Sequence, residues 1–196
     1  NNIPTYKPFW KDVLVQKEGY LFPDTYLIPK DADIELVVSL MLDNFDKKYA
    51  IIKTGKPSTL SKNDSVIIAS LVEREARFPE DQVLVASVIH NRLKIGMKLD
   101  IDATVQYALG FQKDTKTWWK NNLTFTDLDI DSPYNTYLKP GLPPKPIANP
   151  GIEALQAALS PKETEYLYYV SDKTGRNHYA KTFAEHEVNI KRYTVN

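Results

Sequence analysis

The sequence predicts an α+β fold, in which a helical body carries a small antiparallel β-sheet and a long ordered loop. Three observations support this prediction. Apolar residues recur at helical spacing in several segments that begin or end at capping residues. Two strand-like segments, at 165–172 and 177–183, flank a turn with the sequence KTG. Residues 111–149 show no periodicity but are rich in aromatic residues and prolines, which favours an ordered binding loop.

The predicted helices follow an extended aromatic segment at 18–30 that is interrupted by prolines. Most have an apolar stripe at i, i+3 and i+4 spacing, and a cap or a proline marks their starts. Two starts are capping boxes, Ser61–Asp64 and Thr182–Glu185. A loop is predicted at 54–59. The helices are predicted at about 34–49, 61–77, 79–95, 103–109, 150–159 and 182–193.

Composition excludes several classes of function. The chain carries 25 basic and 25 acidic side chains, so its net charge of +0 gives no basis for nucleic-acid binding. The absence of cysteine excludes disulfides, thiolate nucleophiles and Cys-ligated metals. The three histidines lack metal-ligand spacing, and we expect neither a metal nor a cofactor. We expect a single domain across residues 1–196, with residues 1–17 as a linker.

The second helix contains two glutamates that cannot face the same way. Ile68, Leu71 and Val72 form one apolar face at i, i+3 and i+4 spacing, and Glu75 is the next member of that stripe at i+7. Glu73 is two residues earlier and therefore falls on another face. The spacing predicts that Glu75 points inward and that Glu73 is solvated.

An inward glutamate is costly as an anion, because burial raises the pKa of a carboxyl group. A glutamate that is partly protonated near neutral pH can donate a proton and then accept one, which is the chemistry that breaks a glycosidic bond. The alternative for Glu75 is a structural ion pair with an arginine such as Arg92. Glu73 is expected on the polar side with Ser70 and Arg77, and Arg77 can pair with it at i, i+4.

Several motifs in order resemble one known family. They are ASLVEREA, then VASVIHNRLKIGMKLDIDATVQYALG, then SPYNTYLKPGLPPKPIANPG, with EGYLFPDTY upstream and YLYYVSD and HYAKTFAEH downstream. Together they are similar to the YceG-like (MltG) endolytic murein transglycosylases. The resemblance covers Glu18 to Tyr193, and its specificity comes from several motifs in the same order.

The resemblance implies an activity and a location. Such enzymes cleave peptidoglycan glycan strands internally, between N-acetylmuramic acid and N-acetylglucosamine, and leave 1,6-anhydro-muramic acid ends. Glu75 matches the family's catalytic glutamate, which acts as general acid and then as general base. The resemblance also implies a single-pass location in the cell membrane, with this chain as an extracytoplasmic catalytic domain that lacks the N-terminal anchor and a small preceding domain. Penicillin-binding proteins, the cell-wall synthases, are the expected partners.

Further site residues are expected from the same motifs, and each has a structural alternative. The YNTY segment offers groups that suit sugar N-acetyl substituents, or it forms a packed loop corner. Asp102 lines the cleft or caps a helix, and Glu18 faces the groove or stabilises a turn. Asn91 and Arg92 order Glu75 or lie on an exposed helical face. The candidates for substrate binding are Tyr134, Asn135, Thr136, Tyr137, Asp102, Thr104, Tyr107, Glu18, Asn91 and Arg92.

Two other functions remain open at this level. One is a true hydrolase that uses Glu75 with a second carboxylate, Asp100 or Asp102. The other is a non-catalytic glycan-binding or scaffold module for cell-wall synthesis. An inward carboxylate on an apolar stripe argues against the second alternative, because a pure binding surface does not need that cost.

Overall fold

The computed structural model describes residues 14–53 and 59–194, and it has the predicted α+β architecture. The expected linker at 1–17 and loop at 54–59 lie mostly outside the described residues. In chain order the elements are α1 (Ile34–Lys53), α2 (Lys62–Glu75), α3 (Pro79–Lys94), α4 (Asp102–Leu109), α5 (Phe125–Leu128), α6 (Ile152–Leu159), β1 (Tyr168–Ser171), β2 (Asn177–Ala180) and α7 (Phe183–Tyr193).

Helix α2 is the centre of the molecule, where it packs against α3, α4 and α6. It begins at Ser61, whose hydroxyl oxygen accepts a 3.0 Å hydrogen bond from the Asp64 backbone N–H. The Asp64 carboxylate accepts a bond from the Ser61 hydroxyl instead of the backbone N–H, so only half of the predicted capping box forms. The helix ends at Glu75, two residues before the predicted end. Phe78 is extended because the Pro79 ring disfavours helical backbone in the residue before it.

The predicted polar side of α2 is wrong at Ser70, although Glu73 is exposed as predicted. Every residue from Ser65 to Val72 is buried, so this middle part of the helix is covered on all sides and not along one stripe. Ser70 is expected on the polar side but is fully buried. Its hydroxyl donates to the Ile67 carbonyl oxygen at 2.7 Å and accepts from the Ile147 backbone N–H at 3.1 Å. Ser70 therefore fixes the long loop against the central helix.

The predicted hairpin is confirmed. Strands β1 and β2 are antiparallel, with Tyr168 opposite Ala180 and Ser171 opposite Asn177. The turn between them is closed by Asp172, whose carboxylate accepts hydrogen bonds from Thr174 and from the Arg176 backbone N–H. The hairpin packs on α7 and contacts α3. Helix α7 starts with the complete capping box that the sequence predicts.

The long segment at 111–149 is ordered, and it is not wholly irregular. Helix α5 lies within it and begins with a capping box between Thr124 and Asp127. The backbone at Gly19, whose φ is +90°, lies in close contact with this loop. A Cβ at Gly19 would lie 2.4 Å from Pro146 Cγ, so this contact requires glycine. The Gly19 backbone N–H also donates a 2.7 Å hydrogen bond to the Asn149 side chain.

The predicted single-pass membrane location is wrong for the part of the chain that the structure describes. Within residues 14–53 and 59–194, no helix is both long enough and apolar enough to cross a membrane. Helix α1 has 20 residues, but it contains four charged side chains between Asp43 and Lys48.

Candidate active site

One cleft lies where the end of α2 meets the segment before α4, the strand β1 and the start of α7. Its volume is about 350 Å³. Carboxylates, one guanidinium and several aromatic rings share this small space. The lining residues are Glu75, Arg92, Leu99, Asp100, Asp102, Tyr137, Tyr168, Tyr169, Val170, Ser171, Phe183 and His186.

Glu75 is the last residue of α2 and reaches the cleft from the core. Ile68, Leu71 and Val72 have 0% exposure, so the predicted apolar stripe that leads to Glu75 is confirmed. Glu75 as a whole is partly exposed and lines the cleft, and its Oε2 accepts a 2.8 Å hydrogen bond from the Tyr169 hydroxyl. The structure therefore presents one carboxyl group that is desolvated by the core and still open to a ligand.

The pKa of Glu75 is raised above its ordinary value. Burial is the main cause, because the charged carboxylate loses hydration. Hydrogen bonds from the Tyr169 hydroxyl and the Ala103 backbone N–H act in the opposite direction, and the negative charge of Asp102 raises the pKa further. A carboxyl group with a raised pKa keeps more of its proton near neutral pH, which is what a general acid needs.

Arg92 does not pair with Glu75. Its guanidinium donates to the Leu167 carbonyl oxygen at 2.6 Å, to the Leu99 carbonyl oxygen at 2.8 Å and to Asp100 Oδ2 at 3.3 Å. Among the described residues, Glu75 forms no ion pair. The structural ion pair considered for Glu75 is therefore absent from the described part of the chain. Arg92 instead ties β1 to the chain before α4 and forms part of the cleft wall.

Asp102 lines the cleft beside Glu75. Its Oδ1 accepts a 2.6 Å hydrogen bond from the Tyr137 hydroxyl. The N-cap of α4 is Ile101, whose side chain makes no capping hydrogen bond, and Asp102 is the first residue inside the helix, so the capping role considered for Asp102 is wrong. The pKa of Tyr137 is raised by burial and by the hydrogen bond to Asp102, which keeps the phenol protonated as a donor.

Three predicted binding residues are buried below the cleft surface. Asn135 and Thr104 have 0% exposure and Thr136 has 2%. The Thr136 hydroxyl oxygen accepts a 3.0 Å bond from the Ile101 backbone N–H and lies 3.0 Å from the Thr104 hydroxyl. Asn135 accepts from the Tyr137 backbone N–H at 3.0 Å. In this structure they cannot touch a substrate, and they act by holding Tyr137 and the start of α4 in place.

Asn91 also lies away from the cleft. Its amide donates to the carbonyl oxygens of Thr164 and Tyr166, both at 2.9 Å, and so fixes the segment before β1. The exposed helical face considered for Asn91 is therefore wrong as well. Asn91 orders the strand that carries Tyr169, and not Glu75 itself.

Glu18, Tyr107 and Tyr134 form a second cluster, outside the cleft. The Tyr107 hydroxyl donates a 2.5 Å hydrogen bond to Glu18 Oε2, and its ring centre lies 4.8 Å from that of Tyr134. Burial raises the pKa of Glu18, and the Tyr107 bond opposes that rise. Trp119 adds a further ring at 6.5 Å from Tyr107. These residues lie at the C-terminal end of α4, whereas Asp102 lies at its beginning.

Glu73 is exposed, as predicted, but its partner differs. Its Oε2 accepts a 3.0 Å hydrogen bond from the Gly151 backbone N–H, at the start of α6. The predicted i, i+4 pair with Arg77 does not form, because α2 ends at Glu75 and Arg77 is not helical. Glu73 thus caps a neighbouring helix, while Glu75 faces the cleft.

The wall of the cleft that β1 and the start of α7 form was not identified from the sequence. Tyr168, Tyr169, Phe183 and His186 line it. Tyr168 stacks on His186 with ring centres 5.3 Å apart, and it meets Phe183 edge-on at 5.9 Å. The segments YLYYVSD and HYAKTFAEH were interpreted only as hairpin and helix. Their density of aromatic residues was the signal that they also form a binding wall.

The side chains of the cleft can transfer a proton and can form hydrogen bonds with carboxylate or hydroxyl groups of a ligand. Glu75 can supply a proton, and the tyrosine and arginine side chains can donate hydrogen bonds to a polar ligand. Across residues 14–53 and 59–194, no group of three or more histidine, aspartate or glutamate side chains could hold a metal ion.

Comparison with known proteins agrees with the sequence motifs. The model of the YceG-like family matches residues 3–192. The endolytic murein transglycosylase of Bacillus subtilis is 38% identical over 187 residues, which are 94% of this chain and 50% of that protein. That of Streptococcus pneumoniae R6 is 35% identical over 178 residues, which are 90% of this chain and 32% of that protein. The chain therefore spans half or less of the length of these curated relatives.

A solved structure supports the fold. The crystal structure of a YceG-like protein from Listeria monocytogenes is similar with a TM-score of 0.76 at 38% identity. The match covers 88% of this chain and 55% of that protein.

Proposed function

Because this chain belongs to the YceG-like family, we propose that it is an endolytic murein transglycosylase, as its relatives from Bacillus subtilis and Streptococcus pneumoniae are named. Its substrate would be the glycan strand of peptidoglycan, cut internally between N-acetylmuramic acid and N-acetylglucosamine. Such cuts would terminate growing strands. Partnership with penicillin-binding proteins belongs to the same proposal and rests on family membership alone.

The observation that carries the proposal is the environment of Glu75. Its carboxyl group lies in a cleft, its pKa is raised by burial, and the Tyr169 hydroxyl holds it at 2.8 Å. A general acid must be protonated before the reaction and must face the substrate. The raised pKa favours the protonated form of Glu75, the residue lines the cleft, and it forms no ion pair with any described residue.

The proposed reaction needs one carboxyl group. Protonated Glu75 gives its proton to the glycosidic oxygen, and the bond from that oxygen to C1 of muramic acid breaks. The C1 centre passes through an oxocarbenium-like state. The C6 hydroxyl oxygen of the same sugar then bonds to C1, and its proton returns to Glu75. The products are a 1,6-anhydro-muramic acid end and a free 4-hydroxyl group, and no water is consumed.

A second candidate is supported by two further carboxylates in the same cleft. Asp100 and Asp102 both line it beside Glu75, so a two-carboxylate hydrolase is a specific alternative. Each of these carboxylates already has a partner within the protein. Asp100 bonds Arg92 at 3.3 Å, and Asp102 bonds Tyr137 at 2.6 Å. A hydrolase would add water to C1 and leave a reducing end, so the product distinguishes the two reactions.

The test is mass spectrometry of purified, uncross-linked glycan strands after incubation with the protein. Glu75→Gln removes the acid and keeps the size of the side chain. Glu73→Gln is the matched control, because Glu73 lies on the same helix but faces away from the cleft. New internal fragments with 1,6-anhydro ends are expected from the original protein and from the control, and not from Glu75→Gln.

Two other results would contradict the proposal. Fragments with reducing ends would identify a hydrolase. Strand binding without cleavage, unchanged by Glu75→Gln, would identify a glycan-binding module instead.

A further inference from the structure

We propose that a second pocket, at the C-terminal end of α4, binds a sugar unit of the same glycan strand at a distance from the cut. This inference rests on the proposed function and adds a subsite to it. An enzyme that cuts inside a strand has sugar units on both sides of the scissile bond, and the cleft around Glu75 is too small to hold more than a few of them.

The second pocket has the composition of a saccharide site. Its volume is about 500 Å³, and its lining residues are Val15, Glu18, Tyr107, Gly110, Trp118 and Trp119. Sugar rings present C–H groups on one face and hydroxyl groups around the edge. Aromatic rings with a few polar groups therefore suit them, as is general for small-molecule pockets. Trp118 keeps 61% of its surface exposed, although a side chain of this size is usually well buried.

The pocket contains one polar group, the Glu18 carboxylate, that could form hydrogen bonds with the edge of a sugar ring. Tyr107 donates to Glu18 Oε2. Among the described residues, no other side chain bonds the Glu18 carboxylate. Its second oxygen can therefore accept from a hydroxyl group or from the N–H of an acetamido group. Both are present on the amino sugars of a peptidoglycan strand.

Arg74 and α4 connect this pocket to the cleft. The Arg74 guanidinium stacks 3.8 Å from the centre of the Trp119 ring, and its charge also acts on the carboxyl group of Glu75. On α4, Asp102 lines the cleft and Tyr107 lines the pocket. Five residues of helix separate their backbones by about 7–8 Å along the axis. The two sites are therefore close enough along α4 for one polymer to reach both.

The occupant that fits best is the strand itself and not a separate protein. Val15 and Trp118 are exposed apolar side chains here, but the site is a concave pocket with the Glu18 carboxylate among its aromatic rings, which suits the hydroxyl and acetamido groups of a glycan better than an apolar protein surface. Phe111 meets Trp118 edge-on at 5.4 Å and supports the ring from the side while leaving it accessible.

The experiment measures binding of peptide-free glycan strands, sorted by length, to the Glu75→Gln protein by calorimetry. Adding Trp118→Ala is expected to weaken binding of long strands about tenfold, and the loss should disappear as the strands become too short to reach the pocket. Trp118→Phe, which keeps an aromatic face, should restore most of the affinity. Phe125→Ala is the matched control, because Phe125 is 90% exposed and lies outside the pocket.

Each outcome decides the proposal. A loss of binding at every length, or no loss with Trp118→Ala, would overturn the subsite, and so would an absence of strand binding by the Glu75→Gln protein. Cleavage assays on the protein with Glu75 intact separate this result from the proposed function. Cleavage together with length-independent binding would remove only the subsite. A length-dependent loss without any cleavage would keep the subsite and remove the transglycosylase.

Discussion

The hydroxyl group of Tyr169 donates a 2.8 Å hydrogen bond to the Glu75 carboxylate, across a sequence separation of 94 residues. Burial and the adjacent negative charge raise the pKa of Tyr169 well above its ordinary value, so the phenol stays protonated and remains a donor. The strand β1 thereby controls the acidity of a residue on the central helix. This contact gives a direct means of changing the chemistry of Glu75 without removing it.

We expect Tyr169→Phe to raise the pKa of Glu75, because it deletes the hydrogen bond that lowers this pKa. A hydrogen bond to a charged group is worth about 1.5–3 kcal/mol, so the shift should be on the order of one pH unit. The alkaline limb of the pH dependence of kcat/KM, measured on glycan strands, should move to higher pH. Tyr168→Phe, on the same strand, is the control. A downward shift would contradict the assignment of Glu75 as the acid.

Asp102→Asn should have the opposite effect. Its negative charge raises the pKa of Glu75, and its removal should lower that pKa by a fraction of a unit. The alkaline limb should move to lower pH while cleavage continues, since the amide oxygen can still accept from Tyr137. The same pH dependence is measured. Complete loss of cleavage at every pH would instead support Asp102 as the second carboxylate of a hydrolase.

The stability gained by Glu75→Gln should increase with pH. Below the unfolded pKa of about 4.3, Glu75 is protonated in both states and the substitution should have little effect. Because the folded pKa is raised, the folded protein loses stability as pH rises from the unfolded value through the folded one. Thermal unfolding at pH 4 and pH 8 should show Tm rising by about 2–4 °C per kcal/mol recovered, mainly at pH 8. A gain restricted to pH 4 would refute the raised pKa.

Glu73→Ala should reduce stability and leave cleavage unchanged. The carboxylate accepts from the Gly151 backbone N–H at the positive end of α6, and the loss of such a cap costs about 0.5–1 kcal/mol at an exposed site. Urea unfolding measures the loss. Glu73→Gln retains an acceptor and should recover part of it. Reduced cleavage by a folded Glu73→Ala protein would show that Glu73 has a role beyond the cap.

Arg92→Met should cost about 2–4 kcal/mol of unfolding free energy. The substitution keeps an extended apolar chain but removes the donors that satisfy the Leu167 and Leu99 carbonyl oxygens and the Asp100 carboxylate. Lys94→Met is the control, because Lys94 is exposed in the last turn of the same helix. Equal costs for the two variants in urea unfolding would show that the Arg92 contacts are not stabilising.

The helices and the orientation of Glu75 could be predicted because both depend on local spacing. The capping residues Ser61 and Thr182 start their helices as the sequence indicates. Ser70 could not be placed, because periodicity identifies one apolar face and does not reveal that a second layer covers the opposite face. The hydrogen bond from the Ile147 backbone N–H to the Ser70 hydroxyl joins residues 77 positions apart, and no local pattern encodes it.

The roles of individual residues in the long loop could not be predicted from the sequence either. Asn135 and Thr136 are types that bind sugars in some proteins and satisfy backbone groups in others. Only burial shows that here they hold the backbone. Tyr169 was missed for a related reason. A tyrosine in a short strand has no signature that distinguishes a core position from a bond to a distant carboxylate.

The acidity of Glu75 depends on a partner that is synthesised much later in the chain. A chain is synthesised from its N-terminus, and α2 leaves the ribosome long before β1. Until residue 169 has been made, the partner that holds the Glu75 carboxyl group does not exist. Closing a loop of 94 residues also costs entropy, which this contact and its neighbours must offset. The complete acid therefore requires the C-terminal hairpin as well as the central helix.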